Sequence, residues 1–177
     1  MNSNNLGLTF DYDEEGRLTS IKYLNKFVNS VFREPRTFKY DDKGRIISDS
    51  IGKKFTIHFE YDDLDRVVRM YRARNVSETD FVIVHDCKYQ YDDVNNIITE
   101  HTIIGNDYEN LNLFNNRGQR VYNRSIKNGH MTESTYEFND EHFVISQTTE
   151  DNTVIHTIKY KYLNGEQFID REEKIYK

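Results

Sequence analysis

The segment Phe38-Lys39-Tyr40-Asp41-Asp42-Lys43-Gly44-Arg45-Ile46-Ile47 leaves the backbone few options. Two rings spaced by two point to one face of an extended strand, and Asp-x-x-Gly reverses the chain. Asp41 is placed to accept backbone N–H bonds, Gly44 to take the positive φ that follows a type I turn, and the aliphatic pair to open the return strand. The segment is a hairpin, and the chain repeats it. Aligned on the second ring, the copies fall at Tyr12, Tyr40, Tyr61, Tyr91, Phe114, Phe138 and Tyr162, with separations of 28, 21, 30, 23, 24 and 24 residues. That spacing is too uneven for a strict solenoid and suits hairpins joined by unequal outer loops.

Between the rings the strands alternate. Phe55, Ile57, Phe59 and Tyr61 share one face and Thr56, His58 and Glu60 the other. The turn after Tyr61 has Asp65 where glycine is expected, and the turn after Tyr91 has Asn95 there; both residue types tolerate the left-handed region. Asn128-Gly129 is the strongest short hairpin signal. The sixth copy, Tyr136 to Val144, keeps its rings and loses the glycine, and the seventh has it shifted to Gly165. Phe168 to about Tyr176 closes the series as a charge-loaded edge strand. One segment is ambiguous. Leu24, Phe27, Val28, Val31 and Phe32 form a helical stripe ended by Pro35, while the β neighbours favour a twisted strand pair turning near Asn25-Lys26. A short helix over residues 23–33 and a strand pair both stay open.

The expectation is therefore a single all-β domain over residues 1–177: an antiparallel meander of about seven hairpins and fourteen strands, twisted, and either rolled toward a barrel or left open. The ladder Tyr12, Phe38, Tyr40, Phe59, Tyr61, Tyr89, Tyr91, Tyr136, Phe138, Tyr160 and Tyr162 shares one face. Leu18, Ile46, Val67 and Ile97 pack against it. Ile47, Val68, Met70 and Ile98 point to a small second layer, a rolled closure or a partner.

The units Tyr12-Asp13-Glu14-Glu15-Gly16-Arg17-Leu18 and Tyr40-Asp41-Asp42-Lys43-Gly44-Arg45-Ile46 resemble the YD repeat of rearrangement-hotspot (Rhs), wall-associated and teneurin-type proteins. The copies at Tyr61 and Tyr91 match fairly, and the last three by ring spacing alone. In that family such hairpins join edge to edge into a long sheet that spirals into a shell around a toxin domain. Seven units are too few for a shell, and no self-cleaving machinery is recognisable. The resemblance implies the fold element, with short stand-alone bacterial YD-repeat proteins the nearer comparison.

Composition narrows the partners. Of 177 residues, 36% are hydrophobic and 31% charged, but 13 Tyr and 11 Phe set in regular alternation argue for a folded sheet. The net charge of −6 and pI near 5.5 disfavour nucleic acid and anionic membrane and favour a basic protein. With Cys87 alone there is no intramolecular disulfide, in keeping with a reducing compartment. The opening residues lack a basic segment followed by an apolar one, so a cytoplasmic location is expected, with export and a removed signal as the alternative.

Candidate chemistry is sparse. Asp11-Tyr12-Asp13-Glu14-Glu15-Gly16 echoes the start of a calcium loop, but Lys22 stands where a bidentate Glu is needed, and Asp13 is read as a turn cap. His58, His85, His101, His130, His142 and His156 show no metal spacing, and mid-strand His58 and His85 are the only candidate bases. Cys87 reads as a structural thiol. No phosphate loop, nucleophile elbow or zinc motif appears, so no catalytic residue, metal or cofactor is assigned.

Arg66, Arg69, Arg72 and Arg74, joined by Arg17, Arg45 and Arg120, interleave with Tyr71. An Arg and Tyr surface is what interfaces enrich. Arg69, Tyr71, Arg72, Asp62, Asp63, Asp92 and Asp93 are the candidate partner-binding residues. The leading expectation is a non-enzymatic protein-binding module, an immunity protein that neutralises a basic toxin domain of the Rhs or type VI kind. The alternatives are a surface or periplasmic carbohydrate-binding protein and a small enzyme with its site inside a rolled sheet.

Overall fold

The computed structural model describes residues 7–23, 34–77, 80–163 and 166–177. The segment read as helix or strand pair lies almost wholly outside them, as does the seventh turn with Gly165. The first strands are β1 (Leu8–Tyr12), β2 (Leu18–Tyr23), β3 (Arg36–Tyr40), β4 (Ile46–Ile51), β5 (Phe55–Tyr61), β6 (Val67–Asn75) and β7 (Phe81–Asp92). They continue with β8 (Ile97–Ile104), β9 (Tyr108–Phe114), β10 (Arg120–Lys127), β11 (His130–Phe138), β12 (Val144–Asp151), β13 (Val154–Leu163) and β14 (Glu166–Tyr176). The strands pair in chain order from β1 to β14, and the two terminal strands do not pair with each other. The all-β antiparallel meander is thus the fold, and it is not closed into a barrel. The chain divides into two compact units, Met1–Asp86 and Cys87–Lys177.

Five turns are built alike. The N–H groups of Asp13, Asp41, Asp62, Asn115 and Asn139 donate to the carbonyls of Arg17, Arg45, Arg66, Gln119 and Phe143. The Oδ1 of the same five residues accepts the N–H of residue i+4 at 2.8–3.0 Å. Gly16, Gly44, Asp65, Gly118 and His142 carry the positive φ of 62–80°. Each turn costs the register one residue, so Tyr40 faces Ile46, Tyr61 faces Val67 and Phe138 faces Val144 across a bulge. Asp65 fills the glycine position as its chemistry allows, and in the sixth copy His142 fills it. The turn after Tyr91 departs from expectation: Asn96, not Asn95, has the positive φ of 56°, because Asn95 is tied back through its N–H and amide to the Asp92 carboxylate.

The rings keep to one face. In the first unit, register from Phe10 through Ile21 to Arg36, and from Phe38 through Asp49 to Ile57, puts Tyr12, Phe38, Tyr40, Phe59 and Tyr61 together. In the second unit, register from Tyr136 through Gln147 to Ile158 does the same for Phe138, Tyr160 and Tyr162. Among the described residues no large side chain is fully buried. The buried apolar residues are Ala73 and Cys87, and the rest of the buried set is small or polar: Ser20, Ser48, Asp49, Thr56, Thr102, Asn112, Ser134 and Ser146. Short side chains sink below taller neighbours without a second layer, and Ile47, Val68, Met70 and Ile98 stay half-buried. Cross-strand polar pairs hold the buried rows, with Ser50 to Thr56 and Thr148 to Thr157 each at 3.1 Å.

The αL turn position yields the first prediction. A Cβ on Gly44 would meet nothing within 4 Å, so Gly44→Ala tests backbone strain alone and lowers stability by about 1–2 kcal/mol. His142→Gly, at the same turn position, raises it by about 0.5–1 kcal/mol. Urea unfolding midpoints measure both; equal midpoints for Gly44→Ala and the parent would refute the shared turn geometry.

Candidate functional site

Each turn is fastened to the next. In the first unit Arg17, Arg45 and Arg66 donate through Nε to Asp13, Asp41 and Asp62 at 2.7–2.8 Å. The Arg17 guanidinium lies 5.0 Å from the Tyr40 ring centre, and that of Arg45 lies 4.5 Å from Tyr61. The Tyr40 hydroxyl donates to the Leu18 carbonyl at 2.7 Å and the Tyr61 hydroxyl to the Ile46 carbonyl at 2.8 Å. In the second unit Tyr162 repeats the bond to Val144 at 2.9 Å, with the Phe143 ring stacked on it in place of arginine. Lys43 and Arg45 also reach Asp65 at 3.0 and 2.6 Å.

These bonds set the charge state of the turns. Burial pushes the Asp41 and Asp62 carboxyls up, but the Arg45 and Arg66 backbone and guanidinium bonds outweigh it and hold both below the ordinary range. The Lys43 bond lowers Asp65 in the same sense. The residue after each capping Asp is different. Glu14, Asp42 and Asp63 are exposed, occupy the same turn position in three successive turns, and form no ion pair among the described residues. Two strand spacings separate neighbouring turns, so the row has a pitch of roughly 10 Å. The three turns, 13–17, 41–45 and 62–66, hold eight carboxylates against four cations.

The residues expected at a partner surface are dispersed. Arg69 and Tyr71 share a face of β6. Arg69 bonds Asp86 at 2.8 and 3.0 Å and Glu60 at 3.3 Å, and lies 4.6 Å from the Tyr71 ring centre. The His58 ring stacks on Tyr71 at 4.7 Å, and exposed Phe81 borders both. Arg72, one residue on, points to the opposite face and covers Phe55 at 4.1 Å, so it does not join Arg69 and Tyr71. Asp62 is consumed as a cap and Asp63 is left outward. In the second unit Asp92 accepts from the Val94 and Asn95 N–H groups, and Asp93 is exposed beside it.

The other sequence candidates also find places. Asp11 binds Ser20 and Lys22, and Asp13 binds Arg17, leaving no converged calcium loop; among the described residues no group of three potential ligands forms. Cys87 is buried and accepts from the Thr102 hydroxyl at 3.3 Å. The sequence did not reveal His101. Its Nε2 lies 3.0 Å from Glu109 Oε1, Arg124 lies 3.6 Å from the same oxygen, and with Lys88, Gln90 and Leu111 they line an open hollow of about 270 Å³. The register across the outer loop joins His101 to Leu111, and that across the turn at Asn115 joins Leu111 to Arg124.

Burial, then the Lys39 ammonium, hold the His58 imidazole below its ordinary pKa against a smaller opposing pull from Glu60. The unfolded chain therefore binds a proton at His58 before the folded chain does, and stability falls as pH drops below about 6.5. His58→Gln flattens that part of the profile. It leaves the loss below about pH 4, where the depressed turn aspartates protonate. Urea midpoints between about pH 7.5 and 3 read both; an unchanged upper slope in His58→Gln would refute the assignment.

No family model matches the chain, and no curated protein matches it. Among solved structures it is similar to a porin-like protein from Bacteroides uniformis ATCC 8492, at 12% identity over 100% of this chain and 92% of that one, with a TM-score of 0.35.

Proposed function

We propose that the chain is a non-enzymatic module that binds a basic protein, in its most specific form a cytoplasmic immunity protein that neutralises a bacterial toxin domain. The carrying observation is the leftover charge along the turns of the first unit. Arg17, Arg45, Arg66 and Arg69 are each spent on a carboxylate, while Glu14, Asp42 and Asp63 stand unpaired among the described residues at equivalent positions. A regular row of free carboxylates on a backbone fixed by capped turns favours a cationic partner through long-range steering and rim contacts. The Arg69, Tyr71 and Phe81 cluster supplies the residue types that anchor interfaces.

The carbohydrate reading is less favoured, because a sugar needs free ring faces and several of the inner rings carry another group. Tyr71 is flanked by His58 and Arg69, Tyr40 and Tyr61 each carry a guanidinium, and Tyr162 carries Phe143. The link to a toxin is by analogy with the YD-repeat resemblance.

The test is co-expression with the product of the adjacent reading frame. A complex that survives gel filtration at low salt, with rescue of growth if that product is toxic, is the expected outcome. The triple variant Glu14→Lys, Asp42→Lys, Asp63→Lys folds normally and weakens capture at least about tenfold, mostly through association rate. A chain that neither co-elutes nor protects, or a triple variant that binds as well as the parent, overturns the reading.

A further inference from the structure

Three contacts between successive turns share one composition: a ring, a group lying on it, and a hydroxyl bond to the carbonyl of the residue after that group. Leu18 with Tyr40, Ile46 with Tyr61 and Val144 with Tyr162 supply three examples, with Arg17, Arg45 and Phe143 on the rings. Tyr12 is the same ring in the outermost turn. It sits beside the same register shift, pairs with Leu18 as Tyr40 does with Ile46, and precedes the same capping Asp. Yet Tyr12 is 61% exposed, and among the described residues its ring and hydroxyl have no partner. Among the described residues its strand β1 is hydrogen-bonded only to β2, and the same-face residues Leu8 and Phe10 are 45% and 48% exposed.

We propose that the outer edge of β1 docks a strand from a separate polypeptide: one that runs antiparallel to β1 and leaves a tight turn with an arginine followed by an aliphatic residue. The internal copies dictate that chemistry. The arginine covers the Tyr12 ring as Arg45 covers Tyr61, and the next carbonyl takes the Tyr12 hydroxyl as Ile46 takes that of Tyr61. Glu14, unpaired in the adjoining turn, adds attraction for the cation. Strand addition supplies the backbone bonds that give such docking its affinity, and the ring supplies its selectivity. A second copy of this chain is the poorer occupant. In its outer strand β14 the residue opposite Tyr162 is Gln167, preceded by Glu166, so a carboxylate stands where the ring takes a cation.

The probe is a synthetic peptide of residues 36–51, which carries Arg45-Ile46 after its own turn, titrated into the full chain and followed by amide NMR. Saturable shifts and slowed exchange confined to Leu8–Tyr12 and its neighbours are expected. Arg45→Ala in the peptide, or Tyr12→Ala in the chain, weakens binding roughly tenfold, and Tyr12→Phe weakens it by about two- to fivefold through the hydroxyl alone. Unaltered circular dichroism checks that Tyr12→Ala is folded; if it is not, Tyr12→Phe and the peptide variant decide. Absence of saturable binding, equal affinity of the Arg45→Ala peptide, or shifts located away from β1 overturns the proposal. So does Tyr12-dependent self-association of the chain in sedimentation, which assigns the edge to a second copy.

Discussion

The first unit rests on a relay of four groups: an aspartate that closes a turn, the arginine it binds, the tyrosine ring under that arginine, and the carbonyl that takes the tyrosine hydroxyl. Each member is fixed by the one before it. Asp41 accepts the Arg45 N–H and Nε together, which aims the guanidinium at Tyr61, and the Tyr61 hydroxyl returns to Ile46, next to Arg45. Single exposed ion pairs contribute little, but here the charge-assisted bonds close a turn whose backbone is already folded for them, so few side-chain rotations remain to be frozen. The motif Tyr-Asp-x-x-Gly-Arg-aliphatic thus carries both halves of the seam: its ring receives the arginine and carbonyl of the copy before it, and its own arginine and aliphatic carbonyl serve the ring of the copy after it.

That relay answers a problem set by composition. A sheet with so few aliphatic residues cannot bury its way to stability, and among the described residues its most hidden positions are Ser, Thr, Asn, Asp, Ala and Cys. Those residues fill the floor between rings and charged stems, where a short side chain leaves room for the tall ones to lean across. Tyrosine suits the scheme because one side chain gives apolar area, a surface for a cation and a donor for a carbonyl. The same economy bears on function: rings and cations are largely committed to one another, and what remains for a partner is the surplus of carboxylates and a few aromatic edges.

Much of this was legible because the informative contacts are local. Ring spacing, capping Asp and turn Gly lie within seven residues, so strand order and the shared ring face followed from counting. Asp65 in the glycine position followed from the tolerance of Asp for left-handed backbone. The side opposite to Arg69 and Tyr71 taken by Arg72 was also readable from alternation, although the charge pattern made the three look like one patch. What could not be read needs register between hairpins. The hydroxyl bond from Tyr40 to Leu18 depends on the register across an outer loop, and the meeting of His101 with Glu109 and Arg124 on the residue-by-residue pairing across two successive turns, which turn residues locate without setting. Asn96 displaced Asn95 because a side-chain amide bond captured Asn95 first, a choice between two near-equal residues.

The pairing of strands strictly in chain order has a consequence for how such a molecule can change. Strands are hydrogen-bonded to their sequence neighbours in order, so removing one whole hairpin, or duplicating it, would bring together strands of the same polarity pattern and restore the same kind of seam. Length in this architecture is therefore a quantity that mutation adjusts in steps of two strands, with the seam residues, not a shared interior, deciding which steps survive.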